Sequence, residues 1–125
     1  MPDRVESAKV EQFCTGPGQN VLQRGELLVE IRFPPQPKNS GSHYRRLIPR
    51  NEMDIAVVGV GAWVELDETK QRIVSARIGL GAVAATPLSA EAASASLAGQ
   101  SLTPENLKKA ARAAQEIISP ISDMR

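Results

Sequence analysis

Two apolar stretches joined by a short polar turn constrain this chain more than any other feature. Ile55 to Leu66 and Ile73 to Ala84 each run far longer than a typical strand, and Asp67-Glu68-Thr69-Lys70 lies between them. Such a pattern reads as an antiparallel hairpin. In the first stretch Ala56, Val58, Val60, Ala62, Val64 and Leu66 share one face, and Gly59 and Gly61 fall on the other. In the second, Val74, Ala76, Ile78, Leu80, Ala82 and Ala84 share a face, and Gly79 and Gly81 repeat the bare pattern opposite. Glycines at i and i+2 leave strand backbone uncovered, so another element can lie close. The expectation is that a helix packs on that glycine face, and the alanine-rich segments that follow are the candidates.

The first helix is expected over about Ser89 to Ala98, with Ser89 as N-cap and Gly99 as the stop. The second is expected from Pro104 to about Ile118. Thr103 caps it, Pro104 sits where a missing N–H costs nothing, and Pro120 ends it. Upstream, Leu27 to Phe33 alternates as a half-buried antiparallel strand, closed by Pro34 and Pro35. Ser42 to Ile48 reads as another strand, Arg4 to Phe13 as a short exposed one, and Thr15 to Gly18 and Gln23 to Glu26 as turns. Strands precede helices and do not alternate with them. That order predicts an α+β fold, with an antiparallel sheet of three to four strands packed on helices in two layers.

A chain of 125 residues makes one domain, or one domain with a borrowed edge. Fifteen basic residues against 14 acidic give no whole-molecule reason to bind nucleic acid or an anionic membrane. The local balance is less even: Lys38 to Arg50 holds four Lys or Arg and no acid. Cys14 is the sole cysteine, which excludes an internal disulfide and a cysteine-based iron–sulfur or zinc site. His43 is the sole histidine, so no histidine metal cluster exists and a catalytic dyad has little to rest on. The N-terminal MPDRVESAKV has no leader-type apolar run, and no stretch reaches membrane length, so a cytoplasmic protein is the expectation. Gly16-Pro17-Gly18, Gly59-Val60-Gly61 and Gly79-Leu80-Gly81 match a bare G-x-G, but none opens a helix with a third glycine at the dinucleotide spacing.

One constellation has chemistry to offer: Arg45, Arg46, Arg50, Asn51 and Asp54, between one strand and the next. Guanidinium groups suit a phosphate or an electron-rich ring carbonyl. Arginine and aspartate at a strand end also pair simply as structural ions, which is common. Composition alone leaves both readings open.

Four blocks in order carry a family resemblance: GPGQNVLQRGELLVEIRFPP (Gly16–Pro35), YRRLIPRNEMDIAVVGVGAWVEL (Tyr44–Leu66), ARIGLGAVAATPLSAEAA (Ala76–Ala93) and EIISPISDMR (Glu116–Arg125). Together they resemble the C-terminal part of the medium, FAD-binding subunit of the molybdenum hydroxylases, the carbon monoxide dehydrogenase and xanthine dehydrogenase family. The resemblance implies an α+β domain that follows the FAD-binding domain and closes over the flavin isoalloxazine. It implies partners as well: the upstream FAD-binding domain, an iron–sulfur small subunit and a molybdopterin large subunit, among which the medium subunit relays electrons. Carried over by position, Arg46 stands at the family's usual lysine, Arg50 at a common arginine, and Asp54 at the acid opening D-I-A. The resemblance makes Arg46, Arg50 and Asn51 flavin-facing and gives Asp54 the ordering of the loop. Ile48, Pro49 and Glu52 depart from the family's glycine, arginine and small residue. The family's pyrophosphate loops lie upstream of the matched region, and a further helix usually follows it. The expected division is residues 1–25 as a residual edge of the FAD domain and 26–125 as the C-terminal domain without its final helix, in a fragment or truncated product that is not catalytic alone. The alternatives are a stand-alone interaction module that has lost flavin binding, and homodimerisation through an exposed sheet edge or apolar face.

Overall fold

A computed structural model describes residues 6–50 and 55–122. The elements run α1 (Val10–Phe13), β1 (Cys14–Gly16), β2 (Gln19–Asn20), β3 (Ser40–Leu47), β4 (Val58–Leu66), β5 (Ile73–Gly81), β6 (Leu88–Ser89), α2 (Glu91–Leu97) and α3 (Pro104–Gln115). A four-stranded antiparallel sheet in the order β3-β4-β5-β6 carries the molecule, and β1 and β2 form a separate two-stranded ribbon. This is the α+β, sheet-on-helix arrangement that the element order predicts.

The long hairpin forms as expected. Val60 faces Leu80, Ala62 faces Ile78 and Val64 faces Ala76 across β4 and β5. Asp67 builds the turn by accepting hydrogen bonds from the Thr69 hydroxyl at 2.8 Å and the backbone N–H groups of Gln71 at 2.9 Å and Arg72 at 3.2 Å. Lys70 takes the left-handed conformation that such a turn requires. Two details depart from strict alternation. Leu66 pairs with Ile73 while Glu65 pairs with Ser75, which leaves Val74 as the extra residue of a bulge. Ile73 therefore points into the core at 0 % exposure, and Val74, expected inward, is 53 % exposed. At the far end Ala82 adopts a φ of 62°, which ends β5 at Gly81 and turns Val83 inward instead of Ala82 and Ala84.

The helices lie on the face opposite the glycines, and this corrects the expected packing. The core gathers Ile73, Ala76, Leu80 and Val83 against Ala90, Ala93, Leu97, Ala110 and Ala114, with Val58, Val60, Val64 and Ile78 half-buried beside them. The alanines of α2 and α3 provide the close approach, so the sheet supplies volume and not bare backbone. α2 is pinned to β5 at its middle and just beyond its C-terminal end. The Ser94 hydroxyl accepts from Ile78 N–H at 3.0 Å and donates to Ala90 C=O at 2.8 Å. Gly99 N–H donates to Ile73 C=O at 2.7 Å, and Ile73 N–H to Gln100 C=O at 2.8 Å. Ser89 pairs in β6, so it does not cap α2; Ala90 takes that position with no side-chain cap. Thr103 does cap α3, its hydroxyl accepting from Asn106 N–H at 3.3 Å.

Upstream of β3 the sequence reading fails in one important place. Leu27 to Phe33 forms no ladder, and Leu27, Val29 and Phe33 are 82, 75 and 83 % exposed. Alternation describes a strand only when a neighbour accepts its hydrogen bonds, and no described residue does so. The described part of Arg4 to Phe13 forms no strand: it ends in the single turn α1, and the Phe13 C=O accepts from Val21 N–H at 3.0 Å. The turns at Pro17-Gly18 and Gln23 to Glu26 form, the second closed by Glu26 N–H to Gln23 C=O at 3.0 Å.

Candidate functional site

The sheet face away from the helices is floored by backbone. Gly59 pairs with Gly81 and Gly61 with Gly79, so four glycines sit together in the centre of β4 and β5. Alternation along β3 places Ser42, Tyr44 and Arg46 on this same face. The Tyr44 ring lies across β4: a Cβ added to Gly59 would come 2.5 Å from the Tyr44 hydroxyl, and one on Gly61 would come 3.9 Å from the ring. The half of the floor over β5 stays open, with the nearest atoms to added Cβ positions at Gly79 and Gly81 being backbone oxygens 4.0 and 3.9 Å away. Trp63 and Arg77 stand opposite each other at one end of the floor and Arg46 at the other. Leu28 to Arg32 and parts of the segment from Glu6 to Cys14 line an open groove of about 1090 Å³ over this face. The Glu30 carboxylate and Arg32 pair with each other in that lining.

Of the arginines singled out in the sequence, Arg46 is the one that reaches this face. It is the last residue but one of β3, opposite Gly59, and among the described residues no side-chain hydrogen bond or ion pair engages it. Arg45, one residue earlier, points to the other side of the sheet. Arg50 lies in the bend that follows β3, in the loop closed at its base by Val57 N–H to Leu47 C=O at 2.9 Å. The structure thus holds Arg46 and Arg50 at one end of the sheet. Asn51 and Asp54, the other two candidates, lie outside the described residues. His43 pairs with Ala62, on the alternation opposite to Tyr44, although it also lines the groove beside Ser42 and Tyr44. Tyr44 and the paired glycines went unrecognised as one unit in the sequence. The available signal was the spacing of two between Tyr44 and Arg46, read together with the register that sets Gly59 beside them.

Chemically, the face offers an exposed guanidinium, an aromatic ring and flat peptide surface. That set suits a planar, electron-rich group with carbonyl oxygens. Among the described residues no group of three or more His, Cys, Asp or Glu side chains could hold a metal ion, and no helix is long and apolar enough to cross a membrane.

Residues 43–125 match the family described as the CO dehydrogenase flavoprotein C-terminal domain. The chain is 36 % identical over 124 residues to the carbon monoxide dehydrogenase medium chain of Afipia carboxidovorans, and 30 % identical over 125 residues to the xanthine dehydrogenase FAD-binding subunit of Escherichia coli O157:H7. Each alignment covers 99 % of this chain and 42 % of the relative, so the chain spans less than half the length of these relatives. Among solved structures, the carbon monoxide dehydrogenase of Hydrogenophaga pseudoflava superposes with a TM-score of 0.82 at 34 % identity, over 90 % of this chain and 38 % of that one. The quinoline 2-oxidoreductase of Pseudomonas putida 86 superposes with a TM-score of 0.77 at 30 % identity, over 91 % of this chain and 38 % of that one. With sequence match, order of elements and three-dimensional likeness agreeing, the chain belongs to the CO dehydrogenase flavoprotein C-terminal domain family.

Proposed function

We propose that this chain is the C-terminal domain of the FAD-binding medium subunit of a molybdenum hydroxylase-type oxidoreductase. It closes one side of the isoalloxazine ring and contributes surface to which the iron–sulfur and molybdopterin subunits dock, and it performs no reaction alone. The observation that carries the reading is Arg46 on the glycine face opposite Gly59, with no side-chain hydrogen bond or ion pair among the described residues; by the resemblance it stands at the family's usual lysine position. The residues present fit the ring end of FAD. Guanidinium N–H groups donate to ring carbonyl oxygens, and the bare peptide floor admits a flat ring. They do not fit its other end: among the described residues no glycine loop opens a helix to cradle a pyrophosphate. The upstream domain supplies that cradle in this reading, with residues 1–25 as the edge it shares with this domain. The exposed Leu27, Val29 and Phe33 belong with that edge in this reading.

FAD, when bound, accepts and passes on electrons; this chain's own residues orient the ring and exclude water from one side of it. Arg46 holds positive charge beside the ring and so favours its reduced, anionic form. The test uses the longer polypeptide that carries the upstream domain. Arg46→Ala should lower flavin retention through gel filtration and shift the flavin reduction potential downward, while Arg46→Lys should restore both. Unchanged retention and potential in Arg46→Ala would remove Arg46 from the flavin. The exposed Leu27, Val29 and Phe33 row favours the second reading, an interaction module without flavin. A longer polypeptide that purifies colourless and takes up no added FAD would select it.

A further inference from the structure

We propose that the outer edge of β3 is a strand-addition site for an extended acidic segment of a partner protein. Leu66 N–H donates to Asn39 C=O at 3.0 Å, which fixes the phase of the β3–β4 ladder. In an antiparallel pair, alternate residues turn both backbone groups to the neighbour and the residues between turn them away. Gly41, His43 and Arg45 therefore bond β4, while the N–H and C=O groups of Ser42, Tyr44 and Arg46 point outward. Among the described residues no backbone hydrogen bond reaches these outward groups. Only the first outward carbonyl, at Ser40, is occupied, by the Gln36 side-chain amide at 3.0 Å. The eight residues of β3 contain neither proline nor bulge, two devices that commonly protect a free edge.

Charge selects the occupant. Arg45 and Arg46 stand on opposite faces of this edge, Lys38 precedes it, and Lys38 to Arg50 contains no Asp or Glu. An added strand lies about 5 Å away, so carboxylates on either of its faces meet a guanidinium. A second copy of β3 would bring four arginines, two from each copy, onto one seam, and like charges disfavour that pairing. Main-chain bonds supply affinity here and alternate side chains supply selectivity. The site shares Arg46 with the flavin reading but rests on outward backbone groups and not on the glycine floor, and its test contains no flavin, so either reading can fail without the other.

The experiment is fluorescence anisotropy of the 125-residue chain with a labelled seven-residue peptide alternating Glu and Thr. Two controls share its length: the same peptide N-methylated at alternate amides, and a Lys-for-Glu version. Saturable binding by the acidic peptide is expected, weakened by about fivefold or more on N-methylation through lost backbone bonds, and absent for the Lys version. Ser42→Pro removes an outward donor that β4 does not use, so it should weaken binding similarly with an unchanged circular dichroism spectrum. If that variant misfolds, the N-methylated peptide decides alone. Absent binding, or binding indifferent to N-methylation, overturns the proposal. So does concentration-dependent dimerisation that protects the Ser42, Tyr44 and Arg46 amides from exchange.

Discussion

Tyr44 and Gly59 show how one side chain decides the sign of a substitution. Replacing glycine by alanine inside a strand ordinarily gains about 0.5–1 kcal/mol through the unfolded chain. At Gly59 the new methyl would sit 2.5 Å from the Tyr44 hydroxyl, with the ring carbon behind it at 3.2 Å. Displacing the ring costs about 1–3 kcal/mol as overpacking. Gly59→Ala should therefore destabilise by about 1 kcal/mol in urea unfolding. In a Tyr44→Ala background the same change should be neutral or stabilising. Gly79→Ala, whose nearest neighbour is 4.0 Å away, should cost nothing in either background. Asp67 makes a pH prediction at the same scale. Its hydrogen bond from Thr69, with those from the Arg72 and Gln71 N–H groups, holds its pKa below the ordinary 3.8. Because the folded value is the lower one, the stabilisation is present above pH 3.8 and fades as pH falls through the folded value. The stability gap between wild type and Asp67→Asn should stay constant from pH 7 to about 5 and narrow below 3.8, read by denaturant unfolding at each pH.

At the scale of elements, the hairpin, β3 and α3 were legible in the sequence because their signals are local. Alternation, a polar turn, and a Thr-Pro start each act within a few residues. The position of α2 was legible, but its cap was not: Ser89 looks like an N-cap until β6 takes it to pair with Gly79. The packing face was misread because four glycines were taken as room for a helix, whereas alanines on the helices make that room. Arg46 and Arg50 were legible as candidates in the sequence, but the placement of Arg46 at one end of the glycine floor needed the sheet register. Two substitutions test how the helices are held. Thr103→Ala removes the α3 cap and should cost about 1 kcal/mol. Ser94→Ala leaves the Ile78 N–H without its acceptor and should cost about 1–3 kcal/mol. It should also speed amide exchange at Ile78, which Thr103→Ala should leave alone.

For the molecule as a whole, burial divides the chain unevenly. The buried apolar core runs from Ile73 to Ala114, and no residue from Glu6 to Lys38 is buried. The row from Leu27 to Phe33 carries a strand pattern without a partner strand, which local reasoning could not reveal, since pairing depends on residues elsewhere. Removing residues 1–33 should leave the unfolding midpoint of the remainder within about 2 °C, because it deletes no core contact. Limited trypsin digestion should cut first after Arg24 or Arg32 and leave the β3-to-α3 body intact on a gel.

The central claim is that this chain carries the ring-facing half of a flavin site whose phosphate-holding half lies in an upstream domain. Titration with FAD, followed by flavin fluorescence, tests it most directly when the 125-residue chain and the longer polypeptide are compared. The account predicts no quenching by this chain at micromolar concentrations and stoichiometric binding by the longer polypeptide. Tight FAD binding by the 125-residue chain alone would contradict it.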